Sequence, residues 1–255
     1  MKYFFSAILF YFIVNNTLSQ KHDFTWIVGL NDILPADTII GPAILSFNTQ
    51  DGNPSIRYSS KFINFPAYFS SMLSDKNGEF LLHFDGKTLE SKFHKHVGNY
   101  EDICPKSDCG LARQMSLMLP DYSNDSIYSL FTGLWDFIGD PRPGVNEVYA
   151  FFYNLRNVLI EENKDSIRLA RNEVILNDST IVGGLAACKH ANGRDWWILI
   201  PRFQSKQFYT MLYSGNKIQK IFLQDIDRFT DNSGGWAYFS PDGNYYALGS
   251  KYLDN

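Results

Sequence analysis

The stretch from Lys189 to Ser250 decides the fold. It contains the runs KHANGRDWWILI (189–200), QFYTMLY (207–213), SGNK (214–217), IQKIFL (218–223) and WAYFSPDGNYYAL (236–248). Apart from the turn segment SGNK, each run is rich in aromatic and branched residues, and Gly, Asn, Asp and Pro separate the apolar segments. This pattern is typical of short antiparallel strands joined by tight turns. The stretch therefore predicts a meander of β-hairpins.

Two turns in this stretch are specified by their residues. A two-residue hairpin connection needs positive φ, which Gly215 and Asn216 adopt at little cost. In the segment SPDG (240–243), Pro241 presets the first central φ and Gly243 supplies a left-handed position. We therefore expect one hairpin at residues 215–216 and a second chain reversal between residues 239 and 245.

Five ordered segments resemble a known family. FSPDGNYYA (239–247) resembles the strand-turn-strand repeat of Tol-Pal-type and WD-type β-propellers. KHANGRDWW (189–197) resembles more narrowly the propeller-like region of secreted Bacteroidetes proteins, many of which use the type IX secretion route. Upstream, SDKNGEFLLHFDG (74–86), QMSLMLP (114–120) and NEVY (146–149) fit the same family. The resemblance spans most of residues 24–248 and implies a propeller built of four-stranded meanders.

The resemblance assigns a structural role to the repeat residues and identifies no catalytic group. The repeat positions are Asp75, Gly78, Gly86, Asn192, Gly193, Arg194, Asp195, Trp196, Trp197, Ser240, Pro241, Asp242 and Gly243. The simplest interpretation of Arg194 and Asp195 is an ion pair that closes a turn.

The N-terminus has the pattern of a secretory signal. Lys2 precedes an apolar run over residues 3–14, and small or polar residues follow as far as Gln20. Such a run is too short to cross a bilayer as a helix, so residues 1–19 are interpreted as a cleaved signal peptide. An uncleaved anchor or a buried strand is the alternative. No later segment approaches eighteen uninterrupted apolar residues, so the mature protein is predicted to lack a transmembrane segment and to be secreted or held at the outer cell surface.

The composition favours one exported all-β domain over residues 20–255. Hydrophobic residues make up 45% of the chain, enough for a real core. The net charge is −4, and no run of Lys or Arg is dense enough to follow a phosphate backbone, so nucleic acid is not predicted as a partner. The aromatic share of 16% indicates packing between twisted sheets, with a carbohydrate-stacking surface as the alternative.

The strand pattern predicts an all-β, propeller-like array and no helix. About fifteen strands would make about four blades, fewer than a propeller of this type needs to close, so the array is predicted to be incomplete and the chain to be the N-terminal part of a longer protein. Residues 196–200 should form an inner strand, and Trp236, Tyr238, Tyr245 and Ala247 should line the interfaces between sheets. Before residue 207 the predicted strands lie near residues 25–30, 39–47, 65–73, 79–84, 115–119, 127–131, 147–152, 167–171, 181–188 and 196–200.

The three cysteines divide into a close pair and a single residue. Cys104 and Cys109 flank a polar loop, and in an oxidising compartment they are predicted to form a disulfide. Cys188 ends an apolar run and is interpreted as a buried structural thiol.

One segment resembles a protease loop. DNSGG (231–235) is similar to the Gly-Asp-Ser-Gly-Gly loop of chymotrypsin-like serine proteases, with Ser233 as nucleophile and with His94 and Asp140 before it in the chain. Asn232 replaces the loop's aspartate, and a turn that leads into the next strand explains the segment better.

Two other clusters contain potential metal ligands. His94 and His96 supply half of a zinc site without a third ligand at a defined spacing, so a solvated loop is the default interpretation. Asp225, Asp227 and Asp231 resemble a calcium loop that lacks the central Gly and the terminal Glu. No metal and no cofactor is predicted.

Two classes of function remain open from the sequence. The first is a secreted or cell-surface, non-catalytic module that binds a protein or a glycan. The second is a propeller hydrolase, such as a lactonase or the propeller half of a peptidase, whose catalytic part lies outside this chain. The sequence contains no nucleophile elbow, phosphate-binding loop or dinucleotide fingerprint, which favours the first class.

Overall fold

A computed structural model describes residues 24–28, 42–47, 49, 53–59, 61–63, 70–105, 114–139, 148–227 and 235–250. Within these ranges the chain forms five antiparallel sheets, called sheets I to V in chain order. Sheet I contains β1 (Thr25–Val28), β2 (Ala43–Ser46) and β3 (Ser55–Tyr58); sheet II contains β4 (Ser71–Ser74), β5 (Phe80–Phe84) and β6 (Leu89–Ser91). A single helical turn, α1 (Tyr100–Ile103), follows β6.

The remaining sheets lie C-terminal to this helical turn. Sheet III contains β7 (Leu117–Pro120), β8 (Ile127–Gly139), β9 (Val148–Asn163) and β10 (Ser166–Ile181). Sheet IV contains β11 (Ala186–Lys189), β12 (Trp196–Pro201), β13 (Gln207–Ser214) and β14 (Lys217–Asp225), and sheet V contains β15 (Gly235–Phe239) and β16 (Tyr246–Ser250).

Each sheet is a meander, and successive sheets meet through their first strands. The strands of every sheet follow chain order. The first strand of one sheet contacts the first strand of the next in three cases, β1 with β4, β4 with β7, and β11 with β15. Adjacent first strands are what blades arranged around a common axis produce. The predicted all-β, propeller-like array of meanders is confirmed, with the full four strands present in sheets III and IV.

The two turns predicted at residues 215–216 and between residues 239 and 245 are also confirmed. Gly215 and Asn216 both have φ of +55° and join the paired residues Ser214 and Lys217 as a two-residue hairpin. Gly243 has φ of +71° in the turn that brings Phe239 opposite Tyr246.

Three sheets use the same kind of turn between their first and second strands. In sheet II, the Asp75 carboxylate accepts hydrogen bonds from the backbone N–H groups of Asn77 (2.8 Å) and Glu79 (3.0 Å), and Gly78 has φ of +86°. Sheets IV and V repeat the arrangement with Asn192 and Asp242 as the acceptors. This repetition gives the repeat residues a physical role, because each acceptor satisfies turn N–H groups that no strand can reach.

The core lies between the faces of neighbouring sheets. Sheets II and III bury Leu82, Phe84, Leu130 and Val158 against each other. Sheets III and IV enclose a second cluster that includes Phe131, Phe152, Ile198, Ile200 and Met211. β12 lies between β11 and β13 with Ile198 and Ile200 fully buried, so the prediction of an inner strand there is confirmed.

Several element boundaries differ from the prediction. β8, β9 and β10 contain 13, 16 and 16 residues, far longer than the segments of five or six residues predicted there. Polar residues and register shifts interrupt their apolar alternation, as between Thr132 and Leu134, and this hides their length in the sequence. β3 and β6 were missed because they are short, and the helical turn α1 was not predicted.

The prediction for the interfaces of the last hairpin is wrong. Trp236, Tyr238 and Tyr245 are 46%, 61% and 75% exposed, and Ala247 is also exposed. The opposite face of β15 is the buried one, through Ala237. Alternate residues of a strand point to opposite faces of the sheet. In β15, Ala237 points to the buried face, and Trp236 and Tyr238 point to the exposed face.

Tyr246 anchors this hairpin to sheet IV. Its hydroxyl donates to the carbonyl oxygen of Gly184 (2.9 Å), and its ring packs edge-on against Phe208 and Phe239. Burial raises the pKa of Tyr246, which keeps the hydroxyl protonated as a donor. Among the described residues, β1 pairs with β2 and β16 pairs with β15, so no strand pairing joins the first sheet to the last.

Candidate functional site

The turns of sheets III and IV line a partly open cavity of about 340 Å³. Its lining comes from the loop after β7, from the turn between β11 and β12, and from the hairpin between β13 and β14. All three connections lie at the same end of their meanders, because each follows a first or a third strand. The lining residues are Pro120, Asp121, Tyr122, Ser123, Arg194, Asp195, Trp196, Tyr213, Ser214 and Gly215.

Asp121 is the most buried carboxyl group of the lining, at 2% exposure. Its Oδ1 accepts hydrogen bonds from the backbone N–H (2.7 Å) and the hydroxyl (2.6 Å) of Ser123. Its Oδ2 has no hydrogen-bond partner within the described ranges. A buried acceptor without a partner is costly, so a donor that reached this oxygen would be favourable.

The side chain of Asp195 is held by contacts with residues of the turn in which it lies. Asn192 Nδ2 donates to Asp195 Oδ2 (2.6 Å), and Arg194 Nε lies 3.8 Å from Asp195 Oδ1. A hydrogen bond from Ser214, assisted by those from Asn192 and by the charge of Arg194, lowers the pKa of the Asp195 carboxyl. This second carboxylate is therefore ionised at neutral pH, and the expected ion pair between Arg194 and Asp195 is present.

Trp196 contributes an aromatic wall and a donor. Lys189 Nζ lies 3.9 Å from the centre of the Trp196 ring in a cation–π contact. Burial lowers the pKa of Lys189, although the charge of Asp195 acts in the opposite direction. The indole N–H of Trp196 is buried and has no acceptor in the described part of the chain.

Two tyrosines complete the aromatic lining. Tyr213 is 1% exposed, packs edge-on against Phe131 (5.3 Å between ring centres) and has its hydroxyl 2.8 Å from Ser129 Oγ. Tyr122 is 57% exposed. The cavity thus has one aromatic ring fixed in the core and another available to solvent.

This combination of groups suits a ligand that carries hydroxyls. Asp121 supplies a buried acceptor and Trp196 a buried donor, and neither has a partner within the described ranges. Hydroxyl groups can donate to such an acceptor and accept from such a donor. The exposed Tyr122 ring offers a flat apolar surface of the kind on which the C–H face of a sugar packs.

The cavity is lined partly by residues predicted from the sequence to have a structural role and partly by residues for which no role was predicted. Arg194, Asp195 and Trp196 were predicted as repeat residues and line the cavity. Asp121 and Tyr122 were missed, and the only available signal was a polar loop that begins directly after an apolar strand. Trp197 lies elsewhere, with its ring 5.3 Å from His190 and 6.3 Å from Phe222. The other repeat residues, Asp75, Gly78, Gly86, Asn192, Gly193, Ser240, Pro241, Asp242 and Gly243, are absent from the lining.

The histidine pair does not assemble a metal site in the described residues. His94 Nδ1 lies 2.9 Å from Glu90 Oε1, and its ring packs against Phe62 and Phe80, whereas His96 is exposed. No group of three or more His, Cys, Asp or Glu residues arranged to hold a metal occurs in those ranges.

The other motifs fall partly beyond the described ranges. Asp225 accepts a hydrogen bond from Gln207 Nε2 (2.9 Å), and Asp227 ends its described segment. Asp231, which would complete the acidic cluster, lies outside the described residues. So do Ser233 and Asp140 of the protease-like set.

Of the three cysteines, Cys104 is disulfide-bonded and Cys188 is a free thiol. Cys109 lies outside the described residues, so its pairing with Cys104 stays a prediction. Cys188 is half-buried and not fully buried as predicted, and this burial raises the pKa of its thiol.

Comparison of the chain with protein-family models, curated proteins and solved structures finds no match. In the described part of the chain, no helix has the length and apolar character needed to cross a bilayer.

Proposed function

We propose that this protein is an exported, non-catalytic binding module of the outer cell surface or the extracellular medium, and that it binds a neutral glycan in the cavity between sheets III and IV. The observation that carries the proposal is the cavity that the exposed Tyr122 and Trp196 line together with Asp121, whose buried Oδ2 has no partner within the described ranges.

The charges of the lining favour an uncharged, hydroxyl-bearing ligand. Asp121 and Asp195 contribute carboxyl groups and Arg194 contributes one cation. An anionic ligand such as a phosphate or a nucleic acid would meet two carboxyl groups at once, which opposes its binding. The volume of about 340 Å³ lies in the range of small-ligand pockets and suits one or two sugar rings.

Two observations support export. The N-terminal sequence has the charged, apolar and small-residue regions of a signal peptide. Cys104 is disulfide-bonded, and such bonds persist mainly in oxidising compartments outside the cytoplasm. The resemblance to the propeller-like region of secreted Bacteroidetes proteins points in the same direction. Intact-mass analysis of the exported protein tests this part of the proposal, because retention of Met1 would contradict it.

The glycan proposal is tested by screening the purified protein against immobilised neutral oligosaccharides and titrating each hit by calorimetry. Asp121→Asn should weaken binding by roughly tenfold or more, because the substitution places a donor where the ligand needs an acceptor. Trp196→Phe keeps an aromatic ring and removes the N–H, and it should also weaken binding. Tyr122→Ala removes the exposed ring.

A matched control is Tyr58→Ala on β3. Tyr58 is 71% exposed and does not line the cavity, so this variant should bind like the unmodified protein. Melting temperatures of all variants separate lost binding from lost folding. The proposal is wrong if no neutral glycan binds, or if Asp121→Asn and Trp196→Phe fold and bind as well as Tyr58→Ala.

A further inference from the structure

A second pocket lies at the other end of sheet III from the proposed glycan cavity. That cavity borders the start of β8, whereas this far pocket includes Asp136 near the end of the same strand. The far pocket is open to solvent and has a volume of about 480 Å³. Two of its lining residues are aspartates, two are aromatic, and none of the described ones is basic. The lining residues are Asp136, Phe151, Tyr153, Asn177, Asp178 and Ser179.

The register of sheet III brings Asp136 next to two aromatic rings. Asp136 of β8 lies opposite Phe151 of β9, and Tyr153 of β9 lies opposite Ser179 of β10. Residues two apart on a strand share one face, so the rings of Phe151 and Tyr153 are neighbours, with 5.7 Å between their centres. The far pocket therefore has an aromatic wall with a carboxylate beside it.

A β-bulge adds Asp178 to the lining. The pairing of β9 with β10 shifts between Leu176 and Ser179, and such a bulge redirects the side chains of the residues within it. Asp178 Oδ2 accepts a hydrogen bond from the hydroxyl of Tyr209 and lies 2.8 Å from Arg202 Nε. Burial acts against ionisation of Asp178, but these contacts and the hydrogen bond from the Ser179 N–H outweigh it and lower the pKa of the carboxyl. Asp178 is therefore a fixed carboxylate whose charge Arg202 balances.

Asp136 has no such counter-ion. It is exposed, and its Oδ1 accepts a hydrogen bond from the N–H of Phe137 (2.8 Å). Within the described ranges, no Lys, Arg or His nitrogen lies within ion-pair distance of its carboxylate. The far pocket thus combines an aromatic wall with a negative charge that no described cation balances. This combination is complementary to a ligand that is both flat and positively charged.

We infer that the far pocket binds a guanidinium group, of the kind that an arginine side chain carries. A guanidinium is planar, stacks on aromatic rings and donates through a fork of N–H groups that matches carboxylate oxygens. The Asp136 carboxylate and the Asn177 amide oxygen offer acceptors beside the rings of Phe151 and Tyr153. An ammonium ion is compact and more strongly hydrated, so it would use the aromatic wall less well. The inference does not depend on the glycan proposal, because the two sites share no lining residue.

The inference is tested by titrating the isotope-labelled full chain with N-acetyl-arginine amide and following the backbone amide signals by nuclear magnetic resonance. Saturable shifts should appear at residues 151–153 and 177–179. N-acetyl-citrulline amide, in which a neutral urea replaces the guanidinium, should cause none, and the α-N-acetyl amide of lysine should bind more weakly. A short peptide with a central arginine separates the two sources of the group. Tighter binding than that of the single amino acid indicates a partner protein, and equal binding indicates a small free cation.

Two variants identify the groups that hold the guanidinium. Asp136→Asn keeps the shape of the side chain and removes its charge, so it should weaken binding of N-acetyl-arginine amide by roughly two- to fivefold, the range of exposed charge pairs and cation–π contacts. Phe151→Leu removes a ring from the wall and should weaken binding by a similar factor. The matched control is Asp165→Asn in the exposed β9–β10 turn, which makes the same change in net charge as Asp136→Asn and should leave binding unchanged.

Melting temperatures show whether each variant is folded. Asp136 is exposed, so Asp136→Asn should fold even if Phe151→Leu does not. The inference is overturned if N-acetyl-arginine amide causes no saturable shift, or if the citrulline or lysine compound binds equally well. It is also overturned if Asp136→Asn binds as tightly as Asp165→Asn.

Discussion

The side-chain amide of Gln114 pairs with the backbone of Ala237, 123 residues further along the chain. Gln114 Nε2 donates to the Ala237 carbonyl oxygen (2.6 Å), and the Ala237 N–H donates to Gln114 Oε1 (2.7 Å). The amide thus imitates a strand neighbour on the side of β15 that faces away from β16. This contact ties the last hairpin to the segment that leads into β7.

Gln114→Ala should therefore loosen the last hairpin. The substitution leaves both backbone groups of the fully buried Ala237 without these partners, at a cost of about 1–3 kcal/mol of unfolding free energy. Amide hydrogen exchange at Ala237 should accelerate together with that of the β15–β16 hairpin. Gln219→Ala, which removes one exposed hydrogen bond to the Ser214 carbonyl oxygen, is the control and should have little effect. If the Ala237 amide is equally protected from exchange in both variants, the Gln114 side chain does not hold the last hairpin in place.

Two glycines of β8 should respond differently to the same substitution. A Cβ at Gly133 would lie 2.7 Å from Phe152 Cζ and 2.9 Å from the Tyr153 carbonyl oxygen, whereas a Cβ at Gly139 would meet no atom of the described residues within 4 Å. Gly133→Ala should lower the unfolding free energy by about 1–3 kcal/mol, the usual effect of overpacking. Gly139→Ala should be nearly neutral. Chemical denaturation of the two variants measures the contrast, and similar midpoints would refute the packing at Gly133.

The sequence predicts the hairpins well because their residues act locally. Gly215, Asn216 and Gly243 have positive φ, and this preference depends on the residue type and not on distant contacts. The lengths of β8 to β10 could not be predicted in the same way. Polar side chains of these strands face other sheets or solvent. At each bulge the side chains switch to the other face of the sheet, so the two-residue alternation of apolar and polar residues is interrupted.

The candidate site is harder to predict from the sequence than the fold is. Arg194, Asp195 and Trp196 stand in a recognisable repeat, but Asp121 lies some seventy residues earlier in a loop with no motif. What brings them together is the packing of sheet III against sheet IV, for example Phe131 against Tyr213. A contact between separate sheets leaves no periodic signal, so the cavity and its buried carboxyl group emerge only from the tertiary structure.

The state of the cysteines can be measured by alkylation without reductant. In denaturant one thiol per chain, Cys188, should be modified, since Cys104 is disulfide-bonded. In the folded protein the reaction should be slower, because burial raises the pKa of the Cys188 thiol and reduces its thiolate fraction. Peptide mapping identifies the modified residue. Three modified cysteines would rule out the disulfide, and modification of Cys109 would rule out its pairing with Cys104.

Acidification should destabilise the fold through His83. This residue of β5 is fully buried, and neither ring nitrogen has a hydrogen-bond partner within the described ranges. Burial lowers the pKa of His83 below 6.5, although the charges of Asp85 and Glu90 act in the opposite direction. The folded state therefore resists protonation, whereas the unfolded chain takes up a proton as the pH falls through about 6.5. Stability is fully present above that pH and is lost below it.

The loss from this one group should reach up to about 1.4 kcal/mol between about pH 7.5 and pH 5.5, as the linkage of one proton requires. Urea denaturation at the two pH values measures it. His83→Leu removes the titrating group, so this variant should lose less stability on acidification than the unmodified protein. His96→Leu replaces an exposed imidazole and should show the unmodified dependence. If His83→Leu and the unmodified protein lose the same free energy between the two pH values, His83 is not held neutral by its burial.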